Sequence, residues 1–303
     1  MDATRKALLL LILTAGCFAQ TPKPCFAFLL RGDVTVSCGG TISQITRRQD
    51  IESFAVSNEQ SKFAYETSRI TRRTANVDIG EETTLIDLRT GHILSLKDVH
   101  GVVSTCGGLF PMSVRPPLLT PRDVISGEVL TALQPYVRFR CSADRKMAVG
   151  IPKQDASTLY AGIPPTTKIA PTKGFNPIAY AISPDGSKIA YMYSYDRLCL
   201  YSSPGPARCI DKQGDLGGPS VNDAGEVLVA VGTGKGCFYA SGSNFSPKPF
   251  PGAHDEDECI AIGYWRPADQ SVKTIEPVGC DPQWITARTA ELLRRWSQRH
   301  RTK

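Results

Sequence analysis

The chain has 303 residues, of which 41% are hydrophobic, with 26 Gly, 22 Pro and a formal net charge of +6. Beyond its first residues, no run approaches the roughly 20 apolar residues that a transmembrane helix needs. The apolar runs are short and Gly and Pro fall between them, which favours an all-β fold.

Taken in order, the N-terminus reads as a targeting segment. Arg5 and Lys6 supply positive charge, Ala7 to Ala15 is an apolar run, and Cys17-Phe-Ala19 resembles a small-residue cleavage site. Residues 1–19 are therefore expected to be a signal peptide. The competing reading is a lipoprotein signal to residue 16 with lipidation at Cys17, in Leu13-Thr-Ala-Gly-Cys17; Thr14 is an imperfect residue for it. Either reading sends the protein to the periplasm or the exterior, with a membrane contact only if Cys17 is lipidated.

Cys25 and Cys38 then flank Arg31-Gly-Asp33. That tripeptide is one that adhesion receptors read, but Gly-Asp between apolar runs is also what a hairpin turn requires, and the turn is preferred. A complete four-stranded unit runs from Phe54 to Gly101. Its strands are Phe54–Val56, Phe63–Tyr65, Thr83–Leu88 and His92–Leu96, with the polar stretch Glu66–Glu82 read as an outer loop. The segment 106–136 does not fit this pattern and is read as an insertion. Thr120-Pro121 resembles a helix start, so a short helix is expected over Asp123–Leu133.

The next stretch, Tyr180-Ala-Ile-Ser-Pro-Asp-Gly-Ser-Lys-Ile-Ala-Tyr191, is the most regular in the chain. Two apolar strands meet at a turn in which Pro184 pre-sets φ and Asp185 and Gly186 complete the bend. The same phrase occurs in weaker form around Ser57, Ser142 and Asn222. With Ser183 these markers stand 85, 41 and 39 residues apart. The last two spacings match one propeller blade of about 40–45 residues. The first is about twice that, so a blade has either lost its signature or carries an insertion. Ser183–Tyr191 and Thr84-Leu-Ile-Asp-Leu-Arg-Thr-Gly91 resemble the WD40-like repeats of the TolB family of bacterial envelope propellers, over roughly residues 45–265. The resemblance implies a β-propeller with a role in an envelope complex.

The fold expected is an all-β propeller of five to six four-stranded blades over residues 20–280. A short inserted helix and a basic C-terminal helix and tail, 281–303, complete it. That helix, from Pro282 to His300, places Trp284, Leu292, Leu293 and Trp296 on one stripe. The N-terminal strand pair is expected to close the ring with strands from Cys259 to Ile275, which removes exposed edges.

Export makes disulfides the expected use of the cysteines. The pairs suggested by spacing are Cys25–Cys38, Cys106–Cys141, Cys199–Cys209 and Cys237–Cys259, with Cys280 left over. No Cys-x-x-Cys pair or Cys/His cluster marks a zinc site. In His254-Asp-Glu-Asp-Glu258, Asp255 and Asp257 are candidate ligands for a hard cation such as Ca²⁺, but adjacent side chains diverge and a solvated loop is preferred. Gly232-Thr-Gly-Lys-Gly236 lacks the phosphate-loop spacing and reads as a turn.

No catalytic motif is found, no cofactor is implied, and nucleic acid is the least expected partner for an exported chain. The function expected is non-catalytic binding of a protein partner of the cell envelope. The alternative is a hydrolase or lyase acting on a polysaccharide or peptide, with carboxylates facing each other in the channel. A third reading is a structural lipoprotein anchored through Cys17.

Overall fold

The structure is a computed structural model. It describes residues 24–73, 76–97, 105–112, 121–155, 157–170, 179–194, 196–211, 216–232, 261–276 and 279–300; side chains within 68–81 are outside that description. The expectations for Cys17, Cys237, Asp255, Asp257 and Cys259 lie outside the described residues, as does the signal segment.

Five four-stranded antiparallel sheets form a β-propeller. Blade 1 is β4 (Ile51–Val56), β5 (Lys62–Arg73), β6 (Asn76–Asp87) and β7 (Ile93–Lys97). Blade 2 is β10 (Tyr136–Cys141), β11 (Ala148–Pro152), β12 (Leu159–Ala161) and β13 (Thr167–Ala170). Blade 3 is β14 (Ala179–Ile182), β15 (Lys188–Ser194), β16 (Arg197–Ser202) and β17 (Arg208–Asp211). Blade 4 is β18 (Ser220–Val221), β19 (Val227–Val231), β20 (Ala261–Trp265) and β21 (Lys273–Glu276). Blade 5 is composite: β22 (Cys280–Trp284) pairs with β1 (Phe26–Leu30), followed by β2 (Asp33–Cys38) and β3 (Thr41–Gln44).

This closure corrects the expected one. The strands between Cys259 and Ile275 belong to blade 4, and the N-terminal strands are completed by the next strand along, β22. The two ends of the described chain therefore share one sheet, and each blade is entered at its innermost strand.

The repeated marker has a structural cause. Ser57, Ser142 and Ser183 are each 0% exposed, and each hydroxyl accepts the backbone N–H that opens the next strand: that of Lys62, Met147 and Lys188, at 3.0, 3.1 and 3.0 Å. In blade 4 the Asn222 side-chain oxygen does the same for Glu226, at 2.9 Å. A buried group this close to a backbone donor has to be small and polar, which is why the position is always Ser or Asn. Asp144 and Asp185 accept from the Ser142 and Ser183 hydroxyls and tighten the turns.

These turns also join the blades into a ring. Asn58 Nδ2 donates to the Cys141 carbonyl, Ala143 N–H to the Pro184 carbonyl at 2.7 Å, and Asp185 N–H to Asp223 Oδ1 at 2.9 Å. Trp284 N–H donates to Ser220 Oγ and its indole to the Glu226 carbonyl, while Gln60 Nε2 donates to the Trp284 carbonyl. Gln283 finishes the closure. Its amide accepts from Val56 N–H at 2.8 Å and donates to the Phe54 carbonyl at 2.7 Å, as a strand would.

The bond between blades 3 and 4 carries a pH-dependent contact. Burial raises the Asp223 carboxyl above its usual range, and the Asp185 charge raises it further. Burial works against Asp185 as well, yet hydrogen bonds from Ser183 and Ser187 hold it below the usual range. The proton belongs on Asp223, so this contact stabilises below the usual carboxylate value and fades as pH rises through the raised Asp223 value. Asparagine at 223 keeps the acceptor for Asp185 N–H and removes the repulsion. Asp223→Asn is expected to raise the Tm at neutral pH by about 1–3 °C and to flatten its pH dependence, in calorimetry across the acid range.

Two wedges flank blade 1. The first is helix α1 (Ala287–His300), capped by Thr286, whose Oγ1 accepts from Thr289 N–H at 3.0 Å. Ala290 and Leu293 enter a core with Val34, Val36, Phe54, Phe63 and Ile285, between blades 5 and 1. The helix starts later than Pro282 because Pro282 and Trp284 are inside β22, so Trp284 is not part of its stripe. Part of its basic character is used in packing, since Arg294 Nε donates to Ser43 Oγ at 3.1 Å.

The second wedge is the insertion between β7 and β10. Phe110 packs on Ala55, Ala64 and Leu85 of blade 1, while Leu130 and Leu133 pack on Tyr136 and Phe139 of blade 2. With the long β5–β6 hairpin it explains the doubled spacing between Ser57 and Ser142: the blade count is five and the excess is chain added in these two places. The helix expected over Asp123–Leu133 is absent but for one 3-10 turn, Thr131–Leu133. Instead β8 (Pro111–Met112) pairs with β9 (Arg122–Asp123). The Asp123 carboxylate accepts from Phe110 N–H and from Ser126 N–H and Oγ, and Gly127 has φ 71°; these local bonds outcompete a helix.

The polar stretch Glu66–Glu82 is not a loop. β5 and β6 run through it as a continuous hairpin, in register from Lys62↔Asp87 to Arg73↔Asn76. Pairing with β4 stops at Thr67 and with β7 at Glu82, so the hairpin continues past the blade as a two-stranded arm.

Candidate functional site

The innermost strands bring one group of charged and phenolic side chains together. Arg138 and Arg140 come from β10, Tyr180 from β14 and Asp281 from β22. Arg140 interacts electrostatically with both Tyr180 and Asp281. Blades 2 and 5 are not neighbours in the ring, since blade 1 separates them on one side and blades 3 and 4 on the other. An interaction between their innermost strands must therefore cross the central channel.

Backbone irregularities place these side chains. In β22 the register to β1 shifts between Ala27 and Leu29, leaving an extra residue on β22, and Asp281 has φ 46°. A left-handed aspartate at a bulge is a strained choice where glycine would be free, and such bulges redirect side chains. β10 has its own shift between Tyr136 and Arg138. Its neighbour across the ladder is Gly150, where a Cβ would lie 2.1 Å from the Arg138 carbonyl. Only glycine lets β10 sit where it carries both arginines. On the blade 4 side, Gly218 leaves space, its position for a Cβ being 4.0 Å from Asp281 Oδ1.

Arg140, Tyr180 and Asp281 are all partly exposed, so solvent reaches them. Burial pushes the Asp281 carboxyl up to about 7, with Arg140 pulling the other way. Burial lowers the Arg140 guanidinium while Tyr180 and Asp281 support its charge. Burial raises the Tyr180 phenol, opposed by Arg140 and Arg138. The group thus holds a permanent cation beside a carboxyl that titrates near neutrality. Such a pair can hold an anion or exchange a proton.

None of these four residues stood out in the sequence. Arg138, Arg140 and Tyr180 lie four, two and three residues before their Ser markers, and counting back from the marker finds them. Asp281 precedes no marker, because its blade is composite.

The sequence candidates fall elsewhere. Cys25 joins Cys38, Cys106 joins Cys141 and Cys199 joins Cys209. Cys280 is not a spare thiol: it is disulfide-bonded, to a partner outside the described residues. The Arg31-Gly-Asp33 tripeptide is a hairpin turn with Arg31 and Gly32 at positive φ. Asp33 is 2% exposed, its carboxylate accepting from Gln44, Thr46 and Arg48, so no receptor can read it.

His92 borders a cleft of about 310 Å³ with Lys62, Asp87, Phe110 and Ile125. Asp87 there accepts from Arg89 and Thr90 N–H, and Lys62 Nζ donates to the Gly108 carbonyl at 2.6 Å. The cleft's charged groups hold turns. Among the described residues, no group of three or more metal-ligating side chains occurs.

No family model matches the chain, and no curated protein matches it. Solved structures resemble it distantly. One is the crystal structure of a mitotic checkpoint complex, with 11% identity over 84% of this chain and 74% of that one and a TM-score of 0.44. Another is the uncomplexed acylaminoacyl peptidase of Pyrococcus horikoshii, with 9% identity, 82% and 42% coverage and a TM-score of 0.45. A third is Hsv2 of Kluyvelomyces marxianus, with 8% identity, 69% and 85% coverage and a TM-score of 0.39. This chain spans less than half of the peptidase.

Proposed function

We propose that the protein is an exported, non-catalytic binding propeller that holds a protein partner of the cell envelope, in the manner of the TolB-like propellers its repeats resemble. The observation that carries this reading is the β5–β6 arm. Among the described residues, its strands pair only with each other from Ser68 to Arg73 and from Asn76 to Glu81. Six residues of strand reach roughly 20 Å beyond the blade. A lone two-stranded ribbon is marginal in water and offers unpaired backbone on both edges, which suits it to docking against a partner strand. Three disulfides between described cysteines agree with an oxidising compartment, and hence with export.

The test shortens the arm by replacing residues 69–80 with Asn-Gly. Immobilised intact and shortened proteins are cross-linked in envelope extract and analysed by mass spectrometry. One protein retained by the intact chain and lost by the shortened one, at unchanged Tm, supports the reading; equal capture by both overturns it. The hydrolase or lyase reading draws on one observation, the carboxyl of Asp281 near 7, a value suited to a general acid. Turnover of envelope glycans or peptides that is lost in Asp281→Asn would replace the binding reading with that one.

A further inference from the structure

Blade 2 and blade 5 deliver opposite charges into the channel by two separate backbone devices, and both are costly. β10 needs Gly150 beside it, and β22 holds Asp281 in a left-handed bulge. An ion pair serving only to brace the ring has no need of solvent access, yet Arg140, Tyr180 and Asp281 all retain some. Arg138 and Arg140 both act on Tyr180, and Asp281 acts on Arg140.

We propose that the propeller channel is a proton-gated anion site, in which Arg140, supported by Arg138 and the Tyr180 hydroxyl, takes a monoanionic carboxylate when Asp281 is protonated. The ligand carboxylate replaces the charge that Asp281 withdraws. No covalent step is involved: above neutrality one proton is taken up by Asp281 for each anion bound, and below it Asp281 already carries that proton.

The groups that set the gate come from each neighbouring element. β10 supplies Arg138 and Arg140, and Tyr136 beside them donates its hydroxyl to the Gly162 carbonyl at 2.7 Å. β14 supplies Tyr180. Blade 4 supplies Gly218 and Ser220, the hydroxyl of which is taken by Trp284 N–H. On β22 itself Gln283 is committed to Phe54 and Val56 of blade 1. The carboxyl of Asp281 at about 7 puts the gate near neutrality. The site is separate from the β5–β6 arm and stands or falls independently of it.

The test is an NMR titration of the folded, disulfide-intact protein with acetate, read on arginine side-chain N–H signals. A tripeptide with a free C-terminus and its amidated form serve as second probes. Acetate is expected to bind about tenfold more weakly per pH unit above neutrality, and with little pH dependence below it. Asp281→Asn should bind at every pH as the wild type does at low pH, and Arg140→Gln should not bind. Tyr180→Phe, which keeps ring packing, should weaken binding several-fold and guards against misfolding of the arginine variant. If the free tripeptide binds and the amide does not, the natural anion can be a chain terminus; if only acetate binds, it is a small free carboxylate. No acetate binding at any pH, equal binding across pH, or loss of binding in Asp281→Asn overturns the proposal and leaves a bracing ion pair.

Discussion

Leu293→Asp is expected to destabilise the protein by about 4 kcal/mol or more, enough to lower the Tm by roughly 10 °C. Leu293 is 0% exposed and lies in the core shared by α1, blade 5 and blade 1. A carboxylate there has apolar neighbours such as Val34, Phe54 and Phe63. The large effect follows from where the helix sits. It covers the joint at which the composite blade meets blade 1, so losing it exposes the seam held by Gln283 and Gln60. Denaturant unfolding followed by tryptophan fluorescence measures the cost. Arg288→Asp is the control: Arg288 is exposed in the first turn of α1, where negative charge suits the helix dipole, and it should change stability by no more than about 0.5 kcal/mol. A Leu293→Asp protein as stable as this control would mean that α1 is not part of the folded unit.

The repeat was legible in the sequence because its marker is a chemical necessity. The Ser183 hydroxyl must reach the Lys188 N–H from a buried position, so every blade with an unbroken first turn displays Ser or Asn there. The composite blade has no such turn, since its innermost strand is followed by Thr286 and α1. Its closing strand, β22, therefore carries no marker in the sequence. The arm lacks a signal for a different reason. Hydrophobic alternation reports burial against a core, and the sequence from Glu66 to Glu82 is mostly polar, so it reads as loop. The insertion shows local chemistry overriding a plausible helix start, because Asp123 binds Phe110 and Ser126 instead of leaving its neighbours to a helix. The channel group was invisible for a geometric reason. Arg140, Tyr180 and Asp281 are far apart in the chain and meet only when five innermost strands surround one axis.

Removing the Cys106–Cys141 disulfide, by Cys106→Ala with Cys141→Ala, is expected to cost about 3–4 kcal/mol. The two residues are 35 apart in sequence and nearly unexposed, at 1% and 0%. The bond fastens the inserted wedge to the innermost strand of blade 2, where Cys141 N–H also donates to the Thr105 carbonyl. Without it the wedge depends on packing of Phe110, Leu130 and Leu133 and on hydrogen bonds such as Lys62 Nζ to the Gly108 carbonyl and Arg145 to Glu128. Limited proteolysis should then cut first between residues 98 and 135, while the remaining blades stay protected.

The matched removal of Cys199–Cys209 should cost about 1 kcal/mol less, because that bond closes a separation of only ten residues. Its hairpin is also held in register by Leu198↔Ile210 and Leu200↔Arg208, so the folded strands stay paired without it. Calorimetry of both variants beside the wild type gives the difference directly. Equal costs would show that loop entropy is not what these bonds contribute. A larger cost for Cys199–Cys209 would place the weaker part of the ring in blade 3 rather than at the wedge.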